Sequence, residues 1–345
     1  MGRKTFRKVI TSDEVWNEVN KKNKKLMDRF LKEKKTRCSV NTIKNYDSDL
    51  HIFFTWNYEE NDDKYFVDIK KLDFADFFSY CVSELKWGSA RFARMRSCLS
   101  SLSEFIIKFY DEEYPTYRNI ILKSIEAMPK EPRRKKTIMT EEQVNKLLNY
   151  LTENERYQEA CLFALAISSG ARKSELLRFD INLIDENNTA FDGLFIETKD
   201  KIVCKGRGRD GKLLYKYIVK DIFLPYYKRW IEKRKEIMEK NNVEEHNKLF
   251  IKSNGQPITS TDAIDYWKDS WSEILGIDFY FHSARHYLCT LLSKIGLEQD
   301  LIIEIYGWSS GGEMYKIYND LTAKDRQWKG TAKLKDALEN NIIIN

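Results

Sequence analysis

Four stretches of the chain hold side chains whose type and spacing could do chemistry. In Ser169–Leu177 a glycine turn closes one helix, and Ser174 or a neighbour can cap the next. Arg172 and Glu175 there stand three apart, so both can point the same way near the junction. Taken alone, they read as an ordinary surface ion pair. Lys205, in Cys204-Lys205-Gly206-Arg207-Gly208, falls at the tip of a predicted hairpin, where a lysine can reach into a cleft and donate a proton. Lys199, Lys201 and Lys212 lie close by, and a solvated lysine is the equal alternative. The stretch Phe281–Tyr287 carries His282 and His286 at i,i+4 with Arg285 between them. A zinc pair would want the HExxH glutamate, but Ser283 stands there and Arg285 would repel a cation. Two imidazoles beside a guanidinium suit an anion, since all three donate hydrogen bonds and arginine grips phosphate with two of them. The bland alternative is a structural pair of core histidines. The last stretch, Tyr306–Asp320, contains Tyr315 and Tyr318. A tyrosine hydroxyl can act as a nucleophile on phosphorus if the charge on the attacked phosphate is stabilised; in isolation these are two ordinary aromatic residues.

The elements that must position these groups are mostly helical. The chain has 345 residues, 42% apolar and 32% charged, which is too long for one ordinary core and too apolar for a disordered chain. Only five prolines and fourteen glycines point to few turns. No apolar run is long enough to span a membrane and no signal peptide is visible, so a cytoplasmic protein is expected. Six scattered cysteines without a CxxC pair read as buried free thiols in a reducing compartment. The net charge of +6 is too small to demand a polyanionic partner, and its distribution says more. Val40, Ile43, Tyr46, Leu50, Phe53 and Phe54 recur at steps of three and four behind a plausible N-cap at Ser39. A second stripe runs from Phe92 to Phe109, flanked by Lys86, Arg91, Arg94 and Arg96, a helix start that can seat on phosphates. Residues 1–128 therefore read as a helical domain. Residues 129–138, with two prolines and a run of Arg133, Arg134, Lys135 and Lys136, read as a basic linker able to track a nucleic-acid backbone. A capping box at Thr140–Gln143 opens a second domain, 139–345. Within it Leu194–Thr198, Ile202–Cys204 and Leu213–Val219 read as strands of a small sheet, and helices resume from about Leu224. The fold class is mainly α with a small antiparallel sheet.

Taken in order, Arg172, Lys205, His282-x-x-Arg285-His286, Gly307-Trp308 and a following tyrosine resemble the tyrosine recombinase (phage integrase) family. The resemblance covers nearly the whole chain. It implies a helical core-binding domain followed by a catalytic-type domain, with Arg172, Lys205, His282, Arg285 and Trp308 as catalytic residues and Glu175 and His286 as support. Trp308 matches a position that is histidine in most members. The family usually places its nucleophile nine residues beyond that position, here Ile317, whereas counting four from Met314 gives Tyr318. Tyr318 is therefore the expected nucleophile, with one extra residue in the Ser309–Gly312 turn and Tyr315 as the alternative.

The implied reaction is cleavage and rejoining of DNA through a 3′-phosphotyrosyl bond, with no metal, ATP or other cofactor. The implied partners are double-stranded DNA with a specific site, contacted by Lys86, Arg91, Arg94, Arg96, the linker cations and Arg207, and further copies of the chain in a tetramer. The apolar tail residues Leu334–Leu338 and Ile342–Ile344 would pack on a neighbouring subunit. Two other readings share the resemblance: a catalytically silent recombinase-fold regulator such as a phage repressor, and a type IB topoisomerase or telomere resolvase.

Overall fold

The computed structural model describes residues 11–129, 137–206, 210–308 and 312–320. Arg133, Arg134, Lys135, Lys136, Arg207, the Ser309–Gly311 part of the turn and the apolar tail lie outside the described residues. The described chain forms two compact units, one within 11–129 and the other built from 137–205 and 212–320.

The first unit is helical: α1 (Asp13–Glu18), α2 (Lys21–Lys34), α3 (Val40–Glu60), α4 (Lys71–Ser83), α5 (Ser89–Phe109) and the short α6 (Ile121–Ser124). The Ser39 side chain accepts the Thr42 N–H and so satisfies one of the donors that a helix start leaves open. Apolar stripes on α3, α4 and α5 meet in a core rich in phenylalanine. Phe53 lies at its centre, edge-on to Phe77 at 4.9 Å and stacked on Phe74 at 5.7 Å. Such ring pairs add roughly 0.5–1.5 kcal/mol each beyond their buried area.

The second unit opens with α7 (Glu141–Glu153), α8 (Tyr157–Ser169) and α9 (Lys173–Leu176). At α7 both bonds of the Thr140–Gln143 capping box are present, at 3.2 and 3.0 Å. Every residue of α8 from Ala160 to Ser169 is buried. A helix apolar all round has no solvent face and must sit at the centre; α7, α10 (Lys220–Lys240) and α12 (Phe281–Lys294) pack around it. The remaining helices are α11 (Asp265–Leu275), α13 (Gln299–Tyr306) and α14 (Glu313–Tyr318).

Between α9 and α10 lie β1 (Thr189–Ala190), β2 (Phe195–Glu197), β3 (Ile202–Cys204), β4 (Lys212–Leu214) and β5 (Tyr217–Val219). They form an antiparallel sheet in the order β1-β2-β5, with Ile196 opposite Ile218, and a separate β3–β4 hairpin with Val203 opposite Leu213. The single strand expected over Leu213–Val219 is thus two. Its first half pairs with β3 and its second with β2, and the chain breaks at Tyr215–Lys216 to change partners. The backbone of Lys216 is fixed there by two bonds to Thr198, at 2.9 and 3.0 Å. β1 escaped prediction because two residues carry no period-two signal.

All six thiols are free, five of them buried. No described helix is long and apolar enough to cross a membrane.

Gly170 ends α8 in the left-handed region at φ 54°, and a Cβ there would stand 2.7 Å from the Tyr306 ring and hydroxyl. Gly170→Ala should therefore lower unfolding stability by about 2 kcal/mol or more through strain and overlap, measured as a drop in the urea midpoint.

Candidate active site

The αL turn at Gly170 brings the chain off the central helix so that Arg172 becomes the N-cap of α9. Ser174 does not cap this helix; Glu175 does, accepting the Arg172 N–H at 3.0 Å. Its other oxygen takes the Arg172 guanidinium at 2.8 Å, and the Lys205 N–H approaches the same oxygen at 3.4 Å. The Glu175 carboxylate is 1% exposed, and Lys216 Nζ lies 3.8 Å from it. Burial alone would raise its pKa, but the Lys216 charge, followed by the N–H and guanidinium of Arg172, holds it down at about 2.

Arg285, on α12, is fully buried. One guanidinium nitrogen donates to the Gly170 carbonyl, and the group lies over the rings of Tyr306 at 4.8 Å, Tyr318 at 5.1 Å and Trp308 at 5.8 Å. Its Nε and Nη2 find no hydrogen-bond partner among the described residues, nor does the buried Trp308 Nε1. Three buried N–H donors without acceptors in one aromatic-walled cluster make a site for an anion. Burial, and then the nearby Arg172 charge, lowers the Arg285 pKa against the opposing pull of Tyr306, Tyr318 and Glu175.

His282 sits one turn before Arg285, exposed at the rim with its ring 6.4 Å from Tyr318. Partial desolvation, then the charges of Arg285, Arg172, His286 and Lys205, hold its pKa below the usual imidazole value. His286 is turned inward, with Nδ1 2.6 Å from an Asp320 oxygen and its ring 4.7 Å from Tyr318. Trp308 stacks on Tyr306 at 4.3 Å and on Tyr318 at 5.3 Å. The two candidate tyrosines separate cleanly. Tyr318 is 5% exposed within this cluster, whereas the Tyr315 hydroxyl is bonded to Ser293 and Asn319, at 3.0 and 2.6 Å. Lys205 is exposed at the end of β3. Lys212, on the partner strand, donates to the Gly307 carbonyl beside Trp308. The second unit therefore brings together Arg172, Glu175, His282, Arg285, His286, Trp308 and Tyr318, with Lys205 at the rim.

Three participants had no role assigned from the sequence. Lys216 lies at the break between β4 and β5 with other lysines nearby in sequence, and only its burial in the folded chain singles it out. Tyr306, whose hydroxyl donates to the Arg285 carbonyl at 2.9 Å, and Asp320 both sit inside the tyrosine-bearing motif but gain meaning only through tertiary contacts.

In the first unit the basic residues of α5 are less free than their composition suggests. Arg94 grips the fully buried Asp49 with two bonds of 3.0 Å, and Arg91 reaches the same carboxylate at 2.7 Å while lying over Trp87. Arg96 donates to the Leu122 carbonyl at 2.7 Å, and Lys86 is exposed. The arginine side chains of the Asp49 cluster keep 26% and 39% of their surface, so the carboxylate fixes two guanidiniums at the edge of solvent. Burial raises Asp49 to about 6, opposed by Arg94. As pH rises from 3.8 toward 6 the unfolded state ionises this carboxyl before the folded state does, so its contribution to stability falls over that window. Asp49→Asn should remove up to about 3 kcal/mol of that pH-dependent fall, read as the difference between wild-type and variant urea-denaturation curves at acid and neutral pH.

Residues 137–325, more than half of the chain, match the phage integrase family. The SPbeta prophage-derived recombinase-like protein YomM of Bacillus subtilis (strain 168) is 27% identical over 290 residues, covering 82% of each chain. Among solved structures, the Tn1549 transposon integrase in complex with circular intermediate DNA superposes with a TM-score of 0.63 at 16% identity, over 90% of this chain and 98% of that one. The lambda integrase tetramer bound to a Holliday junction gives 0.59 at 16% identity, over 86% and 77%. At those identities the structures speak for the fold, and the family match speaks for descent: the chain belongs to the phage integrase family, the tyrosine recombinases.

Proposed function

We propose that this chain is a site-specific DNA-binding recombinase, an integrase of phage or mobile-element type, which cleaves and rejoins DNA through a 3′-phosphotyrosyl intermediate. The observation that carries the reading is the set of unpartnered buried donors on Arg285 and Trp308, packed against Tyr318 and joined by Arg172 and His282. In this reading the first unit is the core-binding domain and the second the catalytic domain. The Tyr318 oxygen attacks phosphorus, the bond from phosphorus to the 5′-oxygen breaks, and a free 5′-hydroxyl leaves. Negative charge builds on the non-bridging oxygens, where Arg172, Arg285, His282 and the Trp308 N–H donate to it. Lys205 supplies the proton to the leaving oxygen, as an exposed cation at the rim can. Rejoining is the reverse attack by another strand's 5′-hydroxyl. Glu175 orients Arg172, and the His286–Asp320 pair supports the far face of Tyr318. The DNA-bound and tetrameric states of the structural neighbours support double-stranded DNA and further copies of this chain as partners, with the C-terminal tail as the proposed contact.

A regulator that binds DNA without cutting it is favoured by one feature: Tyr318 is enclosed between Trp308 and His286 at 5% exposure. One experiment separates the two readings. On a nicked duplex carrying the cognate site, wild-type protein should form a covalent adduct, Tyr318→Phe none, and Tyr315→Phe an undiminished amount. Arg285→Ala should slow the adduct by about 100-fold or more, as loss of a transition-state donor does. Sequence-specific binding with no adduct in any variant would establish the regulator. Binding should also weaken steeply between about 50 and 200 mM salt, and Arg91→Ala should flatten the log–log salt slope by roughly one unit in a filter-binding assay.

A further inference from the structure

The proposed chemistry gives Lys216 no task, yet it lies at the heart of the cluster. Its side chain is 2% exposed, and its backbone is pinned by Thr198 at the break between β4 and β5. Its ammonium lies 3.8 Å from the buried Glu175 carboxylate, which holds Arg172 by both the main chain and the guanidinium. Removing both charges from water is costly, and an apolar pair of the same volume commonly stabilises a fold as well or better. Stability is therefore a poor reason for the pair; charge on Glu175 is a better one.

We infer that Lys216 is a positioning residue, whose ammonium is the counter-charge that keeps Glu175 ionised in a water-excluded site, so that Glu175 can hold Arg172 where a DNA phosphate meets it. The last step rests on the recombinase reading. The other groups acting on Glu175 are accounted for: Arg172 from its own turn, the Lys205 N–H, Arg285 from α12, and the Cys204 thiol, which burial and then Glu175 itself keep protonated. Arg172 is already spent on Glu175 from one side and is partly exposed; Lys216 opposes the burial from the inner side. Without it, the burial of the carboxyl is opposed only by Arg172 and the Lys205 N–H, so its pKa rises, and a Glu175 that protonates at higher pH loses its ionic grip on the guanidinium.

The test is a pH titration of the Glu175 side-chain carboxyl by carbon-13 NMR in the full-length chain, carried out on wild type, Lys216→Met and Lys216→Arg. Wild-type Glu175 should stay ionised down to about pH 3, the methionine variant should titrate at least one pH unit or so higher, and arginine should restore the low midpoint. If Lys216→Met does not fold, Lys216→Gln serves the same comparison. On the nicked duplex, the acid limb of the adduct rate in Lys216→Met should move up by the same interval as the NMR midpoint. An unchanged midpoint, or a loss of rate uniform across pH, overturns the inference. If wild type forms no adduct, the recombinase reading fails, and the NMR midpoint alone still decides the role of Lys216.

Discussion

A guanidinium with no exposed surface, two of whose nitrogens find no acceptor among the described residues, is the constraint around which the second unit is built. Arg285 can be tolerated there because its surroundings are arranged for it: the Gly170 carbonyl takes one N–H, and the faces of Tyr306, Trp308 and Tyr318 present their negative quadrupoles to the charge. Each of these partners arrives on a different element, from the end of α8, the end of α13, the turn after it, and α14. The central burial of α8 then follows as a requirement, since only a fixed α8 places the Gly170 carbonyl within reach of α12. The positive φ of that glycine is part of the same demand: the chain must turn at once, with no side chain in the way of Tyr306.

Electrostatics in this cluster are unbalanced by design of the fold. Arg172, Arg285 and Lys216 face one buried carboxylate, Glu175, while Asp320 is engaged by His286. Surplus positive charge in a buried site favours an anion, because unpaired charges away from water are costly. The lowered pKa of His282 belongs to the same account, because an imidazole at the rim is asked to share space with cations already present. In the first unit the balance is different. A single buried carboxylate, Asp49, gathers Arg91 and Arg94 from α5 and holds both guanidiniums at one place.

How much of this could be read from the chain depends on the range of the signal. The Ser39 cap, the Thr140–Gln143 box and the stripes of α3 and α5 are written within a few residues, and each was legible. The ordered motif of Arg172, Lys205, His282, Arg285 and Trp308 pointed to the family and so to the fold. What could not be read was direction. Nothing local tells Lys216 apart from Lys212, because their fates differ only by which strand each half of the segment joins. Nothing local says that Arg91 and Arg94 turn to Asp49, or that Tyr315 is taken up by Ser293 and Asn319 while Tyr318 enters the cluster. The one-strand reading of Leu213–Val219 failed for the same reason, since alternation survives a change of partner.

The bond from Lys212 to the Gly307 carbonyl, with Leu214 packed where a Gly307 Cβ would otherwise stand, has a mechanical consequence. It rivets the returning strand of the hairpin to the corner from which the indole wall springs. The hairpin that carries Lys205 and the corner that carries Trp308 are thereby held to each other by one side-chain bond and one leucine contact.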